Sequence, residues 1–168
     1  MHDRGIFVSS PSDAEMQPFR DRVRAGLLSW GARPEMWEQL APRDAAPERA
    51  YLDGVDRSSV LFLLLGSRYG VADDTGYSPT HKESNRAKQR QITRLLFTRC
   101  DLLPSARDGR LNDWLSSLYA ELSGGKFSEP DGLWSRVEMR LREIAAEEQQ
   151  FWIKLGSFVF PGNVQQRR

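Results

Sequence analysis

The sequence predicts an α/β domain: a flavodoxin-like, doubly wound parallel sheet of about five strands, with extra helices towards the C-terminus. Three observations predict it. Residues 60–65, Val-Leu-Phe-Leu-Leu-Leu, are an unbroken apolar run between Ser59 and Gly66, and a strand apolar on both sides is covered on both faces, as in a parallel sheet flanked by helices. Strand-like and helix-like segments alternate from Gly5 to Phe97, with connections short enough to require right-handed crossovers. The chain has 168 residues, which fits one compact domain with a core that needs no disulfide or metal staple.

The elements follow in order. Gly5-Ile6-Phe7-Val8 is a β-branched and aromatic run that ends in the turn formers Ser9-Ser10-Pro11-Ser12-Asp13. Met16, Phe19, Val23, Leu27 and Trp30 recur at helical spacing, and Gly31 ends the helix. Its start falls between residues 12 and 18, because Ser12-x-x-Glu15 makes a capping box while Pro18 suits a first helical position. Residues 33–37 form a weak second strand, followed by a loop over 41–47, a short helix over 47–57 and the apolar strand 60–65. Gly66-Ser67-Arg68-Tyr69-Gly70 and a polar loop through Asp73, Asp74 and Gly76 lead to a helix from residue 79 or 80 to 89 and a strand over 92–98. Leu111, Trp114, Leu115, Leu118 and Leu122 mark a further helix stopped by Ser123-Gly124-Gly125, and Phe127 belongs to a short edge strand. Leu133, Val137, Leu141, Ile144 and Phe151 lie along a final helix, with Glu148 breaking the stripe. The domain is thus expected over residues 1–155. The tail, 156–168, carries Phe158, Val159 and Phe160 without a period; packing back, pairing with a partner and leading into a further domain are all open to it.

Composition excludes several classes. With 24 Lys and Arg against 23 Asp and Glu, the net charge is +1, so no global field draws nucleic acid or anionic lipid. The longest apolar run is far too short to span a bilayer. The first residues lack a signal-peptide pattern, and the expected location is cytoplasmic. Cys100 has no second cysteine to pair with, and two histidines complete no metal set; Cys100 is expected to be a small, at least half-buried thiol. No G-x-G-x-x-G follows the first strand, and Ala120 stands where a P-loop ending in Gly125-Lys126 needs glycine. Neither a redox dinucleotide nor any other cofactor is expected. Ser67 stands one place early for a G-x-S-x-G elbow.

Ligands of open α/β sheets settle beyond the carboxyl ends of the strands, where strand order reverses. With the order second, first, third, fourth, fifth, that crevice lies between the first and third strands. Its flanking loops carry Ser9 and Ser10 on one side and Gly66, Ser67, Arg68 and Tyr69 on the other, small and hydroxylic residues with one guanidinium and one phenol. Glu83 follows at a helix start. A carboxylate there can stabilise the oxocarbenium-like state of N-glycosidic cleavage, bond ribose hydroxyls or attack the anomeric carbon; equally, Thr80-x-x-Glu83 spells a capping box that needs no substrate. Arg68 suits either a phosphate or a tie to Asp73 or Asp74. Tyr69 and Trp37 suit either a stacked base or the core. Lys82, Arg86, Lys88, Arg90, Arg94 and Arg99 form a basic stretch, by default a solvated face, whose proximity to the crevice would favour an anionic ligand. His81 is close to Glu83 in sequence, but near neighbours on a helix do not face each other.

Ile6-Phe7-Val8-Ser9-Ser10, the 60–65 strand running into Gly66-Ser67-Arg68-Tyr69-Gly70, and Gly76-Tyr77-Ser78-Pro79-Thr80-His81-Lys82-Glu83 followed by Ala87 together resemble one family. It is the TIR-like domain of unknown function found at the N-termini of STAND-type NTPases and related bacterial defence proteins, and the likeness covers residues 5–98. More distantly the pattern is similar to TIR domains and nucleoside 2-deoxyribosyltransferases. The resemblance implies cleavage of NAD+, as substrate, or of a related nucleotide, with Glu83 catalytic, Ser9 and Ser10 on ribose or phosphate and Arg68 on the pyrophosphate. It also implies self-association or a STAND-type or other defence partner. A non-catalytic signalling or oligomerisation module of the same fold is the alternative. The sequence departs from the family at Lys82, and the W-x-x-x-E pattern of many NAD-cleaving TIR domains is absent, Pro79 standing four before Glu83.

Overall fold

A computed structural model describes residues 5–32, 34–36, 47–147, 154–155 and 158–159. The central sheet has four parallel strands, β1 (Gly5–Ser9), β2 (Ser58–Leu65), β3 (Thr93–Arg99) and β4 (Gly124–Phe127), in that spatial order. The register pairs Val8 with Phe62, Phe62 with Leu95 and Phe97 with Gly125. Among the described residues the weak second strand is seen as one bridge: Val8 N–H donates to Glu35 O at 2.9 Å and Glu35 N–H to Ile6 O at 2.8 Å. The bridge lies on the free edge of β1, so the strand order matches the expected one, with four full strands among the described residues where about five were expected.

The helices are α1 (Gln17–Ser29), α2 (Pro47–Arg57), α3 (Pro79–Gln89), α4 (Gly109–Glu121) and α5 (Pro130–Glu147). Alternation along the strands divides the core into two. Ile6, Val8, Phe62, Leu64, Leu95 and Phe97 pack against α1 and α5, whereas Phe7, Leu61, Leu63, Leu65 and Leu96 pack against α2, α3 and α4. In β2 both sets are buried, which is why its run shows no polar alternation. On the first face α1 and α5 approach closely enough that a Cβ at Gly26 would lie 2.4 Å from the Trp134 indole.

Two helix starts differ from the sequence expectation. At α1 the N-cap position is Met16 and no side chain caps it; Asp13 closes the turn before the helix, its Oδ1 accepting Met16 N–H at 2.8 Å, and Glu15 is turned away towards the loop after β2. At α3 the N-cap is Ser78, whose hydroxyl accepts His81 N–H at 3.3 Å, with Pro79 at the first helical position. Thr80 and Glu83 therefore make no capping box. Lys154–Leu155 (β5) and Phe158–Val159 (β6) pair antiparallel, so the segment read as aperiodic contains a two-stranded ribbon that straddles residue 156. Glu148 and Phe151 of the expected final stripe, and Trp37, lie outside the described residues. Among the described residues no helix is long and apolar enough to cross a membrane. Cys100, expected to be at least half-buried, is exposed, because it stands just past the end of β3.

Candidate active site

The parallel register places the carboxyl ends of β1 and β2 side by side, with Ser9 opposite Leu63. The loops leaving them and the start of α3 enclose a cleft of about 750 Å³, lined among others by Ser10, Glu15, Ser67, Arg68, Thr80 and Glu83. Glu83 sits at its floor with 4 % of its surface exposed. The Ser9 hydroxyl, at the last position of β1, donates to Glu83 Oε2. Burial pushes the Glu83 carboxyl up to about 8, against the opposing pull of the Ser9 hydrogen bond and the Arg20 charge. Arg20, on α1, is itself only 2 % exposed; burial lowers its pKa, while Asp21, Asp13 and Glu83 raise it.

Glu15 forms a second carboxylate centre in the same cleft. Its Oε1 accepts Ser67 N–H at 3.1 Å, its Oε2 accepts the Ser67 hydroxyl, and Arg99 Nη1 donates to Oε1 at 2.9 Å. Gly66 makes this possible: a Cβ there would meet Glu15 Oε1 at 2.7 Å and Met16 Sδ at 2.6 Å. Gly66 thus serves the cleft from beneath rather than lining it.

The remaining expected site residues divide. Ser10 lines the cleft, its hydroxyl donating to Pro11 O at 3.3 Å. Arg68 is exposed in the cleft wall and has no carboxylate partner among the described residues. The tie to Asp73 does not form, because Asp73 binds Lys82 and Thr75. Tyr69 turns to the opposite side of the sheet: it is buried in the second core, its hydroxyl lies 2.7 Å from His81 Nδ1, and its ring meets Trp114 edge-on. The structure does not bring it to the cleft. His81 stacks on Trp114 at 4.1 Å between centroids, and burial pushes its pKa down to about 4. Two residues apart on α3, His81 and Glu83 face different sides, as helical geometry requires.

The basic stretch is neutralised pair by pair. Lys82 binds Asp73 and, at 2.9 Å, Glu48; Arg86 binds Asp56 at 2.6 Å with Arg90 at 3.5 Å; Lys88 and Arg94 share Glu121 at 2.5 and 2.8 Å; Arg99 binds Glu15 and Asp101. It offers no free field to an anionic ligand, and among the cleft's lining residues the one cationic side chain is Arg68.

Sequence reasoning missed Arg20 and Glu15. Arg20 stands four residues after Met16 and three before Val23, and so lies on the apolar stripe of α1; a charge on a buried stripe was the available signal. Glu15 had a competing local explanation as a capping residue, and nothing local betrays its partner Ser67, 52 positions away.

A parallel sheet wound on both faces, with a buried carboxyl under a cleft at its carboxyl edge, defines a flavodoxin-like α/β domain. Within that class the chain belongs to the family described as "Domain of unknown function (DUF4062)", which matches residues 5–142, well past the 5–98 segment that carries the motif resemblance. Among solved structures it is similar to the TIR domains of the activated Roq1 resistosome directly recognizing the pathogen effector XopQ, with a TM-score of 0.57, 9% identity, and coverage of 82% of this chain and 99% of that one. It is also similar to the RPS4 and RRS1 TIR domain heterodimer, with a TM-score of 0.51, 14% identity, and coverage of 82% and 96%. At such identities the likeness is one of fold. Comparison with curated proteins finds no significant match.

Proposed function

We propose that this domain cleaves the N-glycosidic bond of NAD+ or a related nucleotide, and that Glu83 stabilises the ribosyl cation or traps it at the anomeric carbon. The observation that carries this reading is the buried Glu83 carboxyl, held by Ser9 at the floor of a cleft at the carboxyl ends of β1 and β2. In the reaction the C1′–N bond breaks and its electron pair returns to the pyridinium nitrogen, so nicotinamide leaves neutral. Water then adds to C1′ and its surplus proton passes to solvent. The ionised form of Glu83 is the one that faces the developing cation, and an approaching pyridinium charge lowers the carboxyl pKa towards it. Ser10 lines the cleft on the side of ribose or phosphate, and Arg68 presents a guanidinium fork to the pyrophosphate.

The second reading is a signalling module whose site is idle. The observation favouring it is the low exposure of Glu83, which leaves little carboxylate surface open to a substrate. The solved TIR domains of like fold are described in a resistosome and in a heterodimer. By analogy we read this domain as one that self-associates or acts beside a STAND-type NTPase in cytoplasmic defence against phage.

The test is to incubate the protein, concentrated enough to self-associate, with NAD+ and follow nicotinamide release for the native chain and for Glu83→Gln. Release that disappears in a folded Glu83→Gln supports the enzyme reading. Absence of release under every assembly condition favours the module, and turnover that persists in Glu83→Gln removes Glu83 from the chemistry.

A further inference from the structure

Ser67 is the best-held residue of the loop after β2. Its N–H and hydroxyl both go to Glu15 at the entrance to α1, and its carbonyl accepts Asp108 N–H at 2.8 Å from the entrance to α4. Arg99, at the end of β3, holds Glu15 from behind at 2.9 Å and is itself held by Asp101. The next residue is Arg68, exposed in the cleft and without a carboxylate partner among the described residues. With Ser67 N–H and C=O both bonded, the two peptide planes that flank Ser67 are held, and the direction in which the chain enters Arg68 is set by the clamp.

We propose that Glu15 is a positioning residue of this cleft: by fixing Ser67 it aims Arg68 at the anionic part of the bound ligand. This rests on the reading that the cleft takes a nucleotide, and it assigns to Glu15 a role distinct from that of Glu83. Glu15 acts through the acceptor geometry of its two oxygens on Ser67, and its charge serves mainly to keep Arg99 in place. A half-buried carboxylate that takes two donors from one residue, packed so close to Gly66 that a Cβ there would have to displace it, does more than start a helix whose N-cap position no side chain caps.

The role predicts a selective defect. Calorimetric titration with ADP-ribose, and with adenosine as its phosphate-free counterpart, compares the native chain with Glu15→Ala, Glu15→Gln, Arg68→Ala and the Glu15→Ala/Arg68→Ala double variant. Glu15→Ala weakens ADP-ribose about tenfold, the loss of one well-aimed charge-assisted contact, and leaves adenosine within about twofold. Glu15→Gln, whose amide oxygen still accepts Ser67 N–H, recovers affinity to within about threefold. On the Arg68→Ala background, Glu15→Ala adds about twofold or less, because both changes remove the same contact. Equal losses for the two ligands, no recovery in Glu15→Gln, or independent effects in the double variant each overturn the proposal. If the native chain binds neither ligand, it is the nucleotide reading that fails. In that case amide exchange at Ser67 and Arg68 decides the rest: unchanged protection in Glu15→Ala, with the fold intact by circular dichroism, overturns the clamp as well.

Discussion

At the scale of single residues, Glu83 governs how the domain responds to pH. Its pKa of about 8 in the folded chain lies above the ordinary 4.5, so between those values the folded chain keeps a proton that the unfolded chain has released. Its contribution to stability is present in full below about pH 4.5 and is lost as pH rises through 8, at up to roughly 1.4 kcal/mol per pH unit. Glu83→Gln, neutral throughout, should therefore melt higher relative to the native chain at pH 9 than at pH 5; melting curves that shift in parallel would falsify the assignment. The same ionisation predicts that kcat/KM for NAD+ rises with pH, half-maximal near 8 and level above about 9, because the carboxylate is the active form. A pH-rate profile of nicotinamide release checks this, and a rate that falls over that range would mean a proton-donating Glu83 instead. The residue itself was legible in the sequence as a candidate, from its place after the third expected strand. Its environment was not, since the Ser9 hydroxyl that meets it is 74 positions away.

At the scale of elements, the starts of the helices show where local rules hold and where they compete. Ser78 and Thr80 both offered a hydroxyl at the entrance to α3, and Ser78 caps because Pro79 takes the first helical position, where its missing N–H costs nothing. Ser78→Ala should lower stability by about 1 kcal/mol, measured by urea denaturation, whereas a cap at Thr80 would make that substitution nearly neutral. The seam between α1 and α5 gives a larger effect. Gly26→Ala places a methyl 2.4 Å from the Trp134 ring, and overpacking of this kind costs about 1–3 kcal/mol. A substitution without effect on the urea midpoint would show that the helices meet elsewhere. Helix positions were readable because the period of apolar residues is a local property. The bridge made by Glu35 was not, because it depends on which groups of β1 lie opposite that residue.

At the scale of the whole molecule, β2 joins two cores that no other strand buries as fully. Phe62 belongs to the core with α1 and α5, and Leu63 to the core with α2, α3 and α4. Phe62→Ala should cost about 3–5 kcal/mol and Leu63→Ala about 2–5 kcal/mol, and each should shift one common unfolding transition followed by tryptophan fluorescence and by far-ultraviolet dichroism. Separate transitions for the two probes would show two independently folding layers. The sequence by itself determined the architecture: the order of elements, the parallel sheet and the reversal point beside the first strand all follow from apolar period and from the double-sided run at residues 60–65, which are properties of neighbouring residues. The tertiary structure decided the chemistry of the cleft. It released Glu83 from a cap and set it on Ser9, turned Tyr69 into the opposite core, converted a basic stretch into ion pairs, and drew Glu15 across to Ser67. The physical reason is that charge and hydrogen-bond satisfaction are settled between groups tens of residues apart, and only the packed sheet brings those groups within reach of one another.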